Sequence, residues 1–166
     1  MPPKFKIPEL RSVVCPYLIV ESVESEINFL KDVFDAEVIE SVKQPDGFIN
    51  HGEVRIGDSS VMMGKSNSRF PKTESMIYVY VGNADTAYKK ALEAGAQSVM
   101  PPEDRFYGNR EGGVKDQQGN IWWIAQFLRK VSREEIEKTM NVEKENIILE
   151  RLKKQGLPGE IITKFE

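Results

Sequence analysis

The sequence predicts an α+β fold: two β-α-β-β-β modules, followed by a helical tail. Three observations carry this expectation. An apolar strand, an amphipathic helix and three short strands occur in that order twice along the 166 residues. Val20 falls on Val81 at an offset of 61, and Asp35-Ala36 falls on Gly95-Ala96 at an offset of 60. The turn at Asp58 falls near the turn at Asp116. One such module covers one sheet face with its helix and leaves the other face apolar, so it needs a partner. Two modules packed together make a curved, mixed sheet of about eight strands around a cleft. This places one domain over residues 1–131, with modules at about 13–63 and 76–127, and a helical extension over 132–166.

The elements follow in order. Pro16-Tyr17-Leu18-Ile19-Val20 is a β-branched and aromatic run, the composition of a buried strand. Val23 to Phe34 reads as a helix, because Ile27, Leu30, Val33 and Phe34 recur at helical spacing. Glu37–Lys43, Phe48–Ile56 and Ser60–Met63 read as strands, separated by Pro45-Asp46-Gly47 and Gly57-Asp58-Ser59 turns. In the second module Met76–Val81 is the apolar strand. Ala84–Ala94 is the helix, and Gly95 is its stop, since glycine tolerates a left-handed backbone. Gln97–Met100 is a strand ended by Pro101-Pro102. Gly112–Lys115 and Ile121–Phe127 form a hairpin around Asp116-Gln117-Gln118-Gly119-Asn120. In the tail, Ser132-Arg133-Glu134-Glu135 has the form of a capping box. Ile136 and Met140 follow on one helical face. A second helix is expected at about Glu143–Gln155, with Gly156 and Pro158 as its stop. Its stripe of Ile147, Ile148, Leu149 and Leu152 suits either the outer surface of the domain or a partner subunit.

Composition narrows the function classes. The chain has 23 Lys and Arg against 26 Asp and Glu, a net charge of −3. That balance argues against a nucleic-acid partner, which requires a basic footprint. One cysteine, Cys15, excludes an internal disulfide. One histidine, His51, excludes any site built on two or more imidazoles. The longest apolar run, Met76–Val81, is far short of the about 20 residues of a membrane span. No targeting segment is visible, so a cytoplasmic location without membrane contact is expected.

Several residue groups carry candidate chemistry. His51, Glu53 and Arg55 alternate along one strand and share a face. On a cleft wall, His51 and Glu53 form an acid–base pair; on an outer face, the trio is a plain ion-pair cluster. Trp122 and Trp123 are neighbours in one strand and point to opposite faces. Arg105, Phe106, Tyr107 and Arg110 form a loop suited to an anionic or π-rich ligand, or a rigid surface connection. The segment Gly64–Ser75, with Lys65, Arg69 and Phe70, joins the modules and suits either a cleft cover or a subunit crossover.

The paired plan, with Pro16-Tyr17-Leu18-Ile19-Val20, His51-Gly52-Glu53-Val54-Arg55-Ile56-Gly57-Asp58, Tyr107-Gly108-Asn109-Arg110 and Asp116-Gln117-Gln118-Gly119-Asn120-Ile121-Trp122-Trp123, resembles the glyoxalase/bleomycin-resistance superfamily, also called vicinal oxygen chelate. The PhnB-like branch is the most similar, and Val131–Ile136 fits it too. The resemblance covers roughly Cys15 to Met140. It implies a homodimer and, in the enzymes, one divalent metal held inside the curved sheet by His or Glu from the first and last strands of each half. Strand by strand, those places fall here on Cys15, on Met62 or Met63, on Met76 and on Trp123. None is a hard oxygen or imidazole ligand, so no metal and no cofactor are expected. Trp123 then becomes the floor of an apolar cleft. The implied function is binding of a small hydrophobic or aromatic molecule, with Trp123, Phe106, Tyr107, Arg105, Arg110, Met63, Met76 and Cys15 as lining. The alternative is a glyoxalase-like lyase or dioxygenase-type enzyme working through His51 and Glu53. A third reading has a filled cleft and a tail that mediates contacts.

Overall fold

Side-chain alternation and helix capping account for the element order of the structure, a computed structural model describing residues 6–154. The first module runs β1 (Tyr17–Val20), α1 (Val23–Phe34), β2 (Glu37–Lys43), β3 (Ile49–Ile56) and β4 (Ser59–Lys65). The second runs β5 (Met76–Tyr80), α2 (Ala84–Glu93), β6 (Gln97–Asp104), β7 (Asn109–Lys115) and β8 (Ile121–Phe127). A long helix, α3 (Arg133–Lys154), follows. Instead of one sheet of about eight strands there are two four-stranded sheets, ordered β1-β4-β3-β2 and β5-β8-β7-β6. In each, the first strand of the module lies parallel to the last: Tyr17 opposite Met62, and Tyr78 opposite Trp123. The described residues form two units, one of residues 6–104 with 110–127, the other of 105–109 with 128–154.

Local chemistry sets the helix ends. The Ser22 hydroxyl accepts from the Ser25 N–H at 3.2 Å, and the Asn83 side chain accepts from the Thr86 N–H at 2.8 Å, so each helix starts on an N-cap. α1 ends at Asp35 in the left-handed region, φ 53°, and α2 gives way to Gly95 at φ 90°.

Three elements depart from the sequence expectation by more than two residues. β6 continues through Pro101-Pro102 to Asp104. It is an edge strand, where a missing N–H costs no ladder bond, and its register shifts between Met100 and Glu103 to absorb the prolines. β7 begins at Asn109 rather than Gly112. The tail is one helix rather than two. Ser132 caps it at the Glu135 N–H, at 3.1 Å, and no Gly or Pro interrupts 133–154. Ile147 and Ile148 on it are exposed. The Gly156 and Pro158 stop lies outside the described residues.

The two modules share one core on their helix-covered faces. Leu18, Val20, Val54 and Met63 pack beneath Val23, Ile27, Leu30 and Val33 of α1. Trp122 and Ile124 pack with Ala84, Ala87 and Ala91 of α2. The Trp122 ring lies 5.3 Å from Phe34 and 6.4 Å from Phe29, centroid to centroid, which ties α1 of the first module to β8 of the second.

Candidate functional site

The faces away from the helices hold the candidate chemistry. On the first sheet, strand register puts Tyr17, Met62, Gly64, His51 and Glu53 on that open face. Five side chains there form a continuous chain. The Tyr17 hydroxyl lies 3.2 Å from His51 Nδ1, and His51 Nε2 lies 3.0 Å from Glu53 Oε1. Arg11 Nε donates to Glu53 Oε2 at 2.6 Å, and its terminal nitrogen donates to Glu40 Oε2 at 2.9 Å. A carboxylate can only accept, so His51 carries its proton on Nε2 toward Glu53. In the neutral imidazole, Nδ1 is then left to accept from the Tyr17 phenol. Burial works to raise the Glu53 carboxyl, but the hydrogen bonds from Arg11 and His51 outweigh it and hold Glu53 below the usual carboxylate range. Gly64 makes room for this arrangement, since a Cβ there would stand 2.7 Å from the Tyr17 hydroxyl.

Beside Tyr17, where β4 runs into the connection to β5, lies a cleft of about 650 Å³. Tyr17, Ile19, Asn50, Lys65, Asn67 and Phe70 contribute to its walls. Asn67 Oδ1 accepts from the N–H groups of Arg69 and Phe70, both at 2.9 Å, and so folds the connection into a tight turn that carries Phe70.

The second sheet repeats the pattern in aromatic form. Trp123 Nε1 donates to Glu111 Oε2 at 3.0 Å, and the Tyr78 hydroxyl donates to Glu111 Oε1. The Trp123 ring lies across Gly113, where a Cβ would come within 2.7 Å of it. Tyr78 and Tyr80 meet edge to face at 5.2 Å. Tyr78 matches Tyr17 at the 61-residue offset, and Glu111 matches Glu53 at the 58-residue offset of the two turns. Each sheet thus places a buried carboxylate beneath a tyrosine of its first strand.

The sequence-predicted residues are distributed as follows. His51 and Glu53 are together, but Arg55 turns away to the Gly57 carbonyl at 2.7 Å, and Arg11 takes the cationic place. Trp123 lies on the open face, while Trp122 is fully buried and donates to Asp116 Oδ2 at 2.7 Å. Met63 is a correction. It pairs with Leu18 and is fully buried under α1, so Met62 is the open-face residue. Met76 stands on the open face, 65% exposed. Cys15 lies ahead of β1, and its thiol contacts the Ser12 carbonyl and Ser60 Oγ, each at 3.2 Å. Arg110 is a second correction. Alternation with Glu111 turns it to the helix side, where it grips Asp85 of α2 at 2.7 and 2.8 Å and Asp104 at 2.8 Å. Arg105, Phe106 and Tyr107 lie in the turn between β6 and β7 and belong to the unit that contains α3. Phe106 and Tyr107 meet there edge to face at 5.2 Å. The residues not singled out from sequence are Tyr17, Arg11, Tyr78 and Glu111. For Tyr17, Tyr78 and Glu111, the two repeat offsets were the available signal.

The four places where a superfamily metal would find its ligands do not fit one. A thiol engaged with Ser12 and Ser60, two thioethers and an indole that donates to Glu111 offer no hard donor set. Among the described residues, no group of three or more His, Cys, Asp and Glu comes together to hold a metal ion. Among them, too, no helix is long and apolar enough to cross a membrane.

Comparison with known proteins bears on the same residues. The model of the Glyoxalase/Bleomycin resistance protein/Dioxygenase superfamily matches residues 10–124. An uncharacterised protein of Mycobacterium tuberculosis strain H37Rv is 32% identical over 137 residues, covering 76% of this chain and 81% of its own length. A Mycobacterium bovis counterpart shows the same identity over 90% of its length. Among solved structures, TioX from Micromonospora sp. ML1 superposes with a TM-score of 0.61 at 23% identity, over 70% of this chain and 99% of that one. A Bacillus cereus protein described as a putative 3-demethylubiquinone-9 3-methyltransferase, PhnB protein, superposes at 0.57 and 21% identity, over 69% and 99%. At those identities the structural likenesses show the fold.

Proposed function

The chain belongs to the glyoxalase/bleomycin resistance/dioxygenase superfamily, and we propose that within it this protein binds a small, flat, hydrophobic or aromatic molecule without a metal. The observation that carries the reading is the cleft of about 650 Å³ beside Tyr17, walled by Tyr17, Ile19 and Phe70. That volume and mixed lining suit a small organic ligand. The donor set at the former metal positions supports the metal-free part. On the second sheet, Trp123, Tyr78 and Tyr80 supply stacking surface. Tyr80 is 64% exposed, which favours a homodimer in which a second copy covers these open faces. Such a protein sequesters or carries its ligand and works in the cytoplasm.

One observation favours a second reading, an enzyme. The chain Arg11–Glu53–His51–Tyr17 ends with a phenol at the cleft, and Glu53 fixes the imidazole so that Nδ1 faces that phenol. This is the orientation in which the imidazole takes the phenol proton at Nδ1 while the phenol oxygen takes one from a bound substrate. On this reading, His51→Ala abolishes turnover and retains binding.

The binding reading is tested by titrating isotopically labelled protein with 1-naphthalenemethanol or 1-naphthoate and following amide resonances. Shifts concentrated in Gly64–Phe70 are expected. If both probes leave that segment unmoved, or perturb only other parts of the chain, the cleft is not the binding site. Treatment with a chelator is expected to leave the melting temperature unchanged.

A further inference from the structure

We infer that the cleft beside Tyr17 selects an anionic aromatic ligand, an aryl carboxylate or a molecule of like charge, over a neutral one of the same shape. The inference rests on the binding reading above and adds charge to it. The chain as a whole is acidic, with a net charge of −3, yet the cleft is not. Its wall side chains include Lys65, Asn50, Ser66 and Asn67, and no carboxylate.

The cations of this segment are placed unequally. Lys72 pairs with Glu21 at 3.6 Å. Lys65 and Arg69 pair with no carboxylate among the described residues. Each instead stands over an aromatic ring. Lys65 Nζ lies 4.2 Å from the Phe48 centroid and Arg69 Cζ lies 5.4 Å from that of Phe70. A ring face holds a cation in place without neutralising it, so both charges remain available to an incoming anion. Glu53, the buried carboxylate of the neighbouring open face, is already engaged by Arg11 and His51 and does not oppose an anion as a bare charge would.

Asn67 adds a neutral donor. Its Oδ1 is committed to two backbone N–H groups, which fixes the amide so that Nδ2 is the remaining donor. That Nδ2 has no hydrogen-bond partner among the described residues. A flat ring set against Phe70 and Tyr17 would therefore meet an ammonium and an amide N–H₂ at its polar end. Charge-assisted hydrogen bonds to a carboxylate are the stronger class of such contacts. A neutral hydroxyl on the same ring gains only the weaker class.

The test compares 1-naphthoate with 1-naphthalenemethanol on the full chain by calorimetry, with amide shifts in Gly64–Phe70 as the location check. Naphthoate is expected to bind about tenfold more tightly, and its advantage to shrink with added salt. In Lys65→Met, which keeps an apolar stem over Phe48, the ratio of the two affinities is expected to fall to within about twofold. Arg69→Gln, an exposed substitution, is expected to lower the ratio as well. Equal affinities in the unaltered protein, both located at Gly64–Phe70, would leave the cleft reading standing and overturn the charge inference. A ratio unchanged in Lys65→Met overturns it too. If neither probe shifts Gly64–Phe70, both readings fail together.

Discussion

Glu26 shows most plainly what single residues do in this fold. It sits on the core side of α1, almost wholly buried, next to Asp116 in the hairpin between β7 and β8. Asn120 Nδ2 reaches its Oε1 at 3.5 Å, and its Oε2 has no hydrogen-bond partner among the described residues. Asp116 is occupied by the Asn120 N–H at 2.9 Å and the Trp122 indole at 2.7 Å, so it stays the acceptor. Burial, and then the neighbouring Asp116 charge, push the Glu26 carboxyl up to about 8. The folded chain therefore holds a proton that the unfolded chain releases near 4.5. The stability linked to that proton is full below the unfolded value and is lost as pH rises through about 8. Stability is expected to fall by at least about 1 kcal/mol between pH 6 and 9, in thermal melts, and Glu26→Gln is expected to flatten the fall. Glu53 does not confuse the reading, because its pKa is lowered and its linked stability is lost only in acid. An equal slope in both proteins would place the titrating group elsewhere. This residue was legible in the sequence only as one more acid of a helix, since its burial comes from a hairpin some ninety residues away. That Trp122 and Trp123 face opposite ways followed, by contrast, from alternation, and the resemblance pointed to Trp123 as the open-face member. The choice between Met62 and Met63 did not, because a one-residue slip exchanges the faces of a strand. Arg11 was equally hidden: it reaches Glu53 from a segment ahead of β1, and no local pattern encodes that approach.

Among the elements, strands and helices with strong periodicity were readable, and those shaped by their neighbours were not. α1 has the expected bounds because its apolar face and its Ser22 cap agree. β6 overran its prolines because edge position, a property of the sheet and not of the segment, removes their cost. The tail was read as two helices because its apolar residues lie in two groups, but helix continuity depends on backbone breakers, and 133–154 has none. Arg133 pairs with Glu137 at 2.7 Å, and the Thr139 hydroxyl donates to the Glu135 carbonyl at 3.0 Å, as a regular helix permits. Val142 falls mid-helix, at the boundary once expected between the two, and is exposed. Val142→Pro is therefore expected to cost about 3 kcal/mol in the helix and to lower the far-ultraviolet helical signal clearly. A signal that does not change would mean that the chain already breaks there.

At the scale of the molecule, the repeat offsets carried the two-module architecture, and Phe29, Phe34 and Trp122 show how the modules are joined on their helix side. What the offsets do not encode is what covers the opposite side. There the chain leaves Met76, Tyr78 and Tyr80 of β5 and Phe127 of β8 exposed, a contiguous run of large apolar groups on neighbouring strands. Tyr17 of β1 is exposed as well. Single exposed apolar residues need no explanation, but clustered ones along a sheet face mark an interaction surface. The proposed homodimer would place a second copy there, because the module repeat supplies each copy with two such faces and a two-fold interface uses the same patch on both chains. Light scattering is expected to give the mass of two chains. The double substitution Met76→Glu with Tyr80→Glu sets carboxylates on the face without entering the core, so it is expected to give a folded single chain. If the cleft beside Tyr17 depends on that cover, the same variant also binds 1-naphthoate about tenfold more weakly, since the ligand then loses wall area to solvent. A mass of one chain for the unaltered protein defeats the dimer. A dimer that survives the double substitution instead assigns the contact to another surface, with the exposed Ile147 and Ile148 of α3 the next to test.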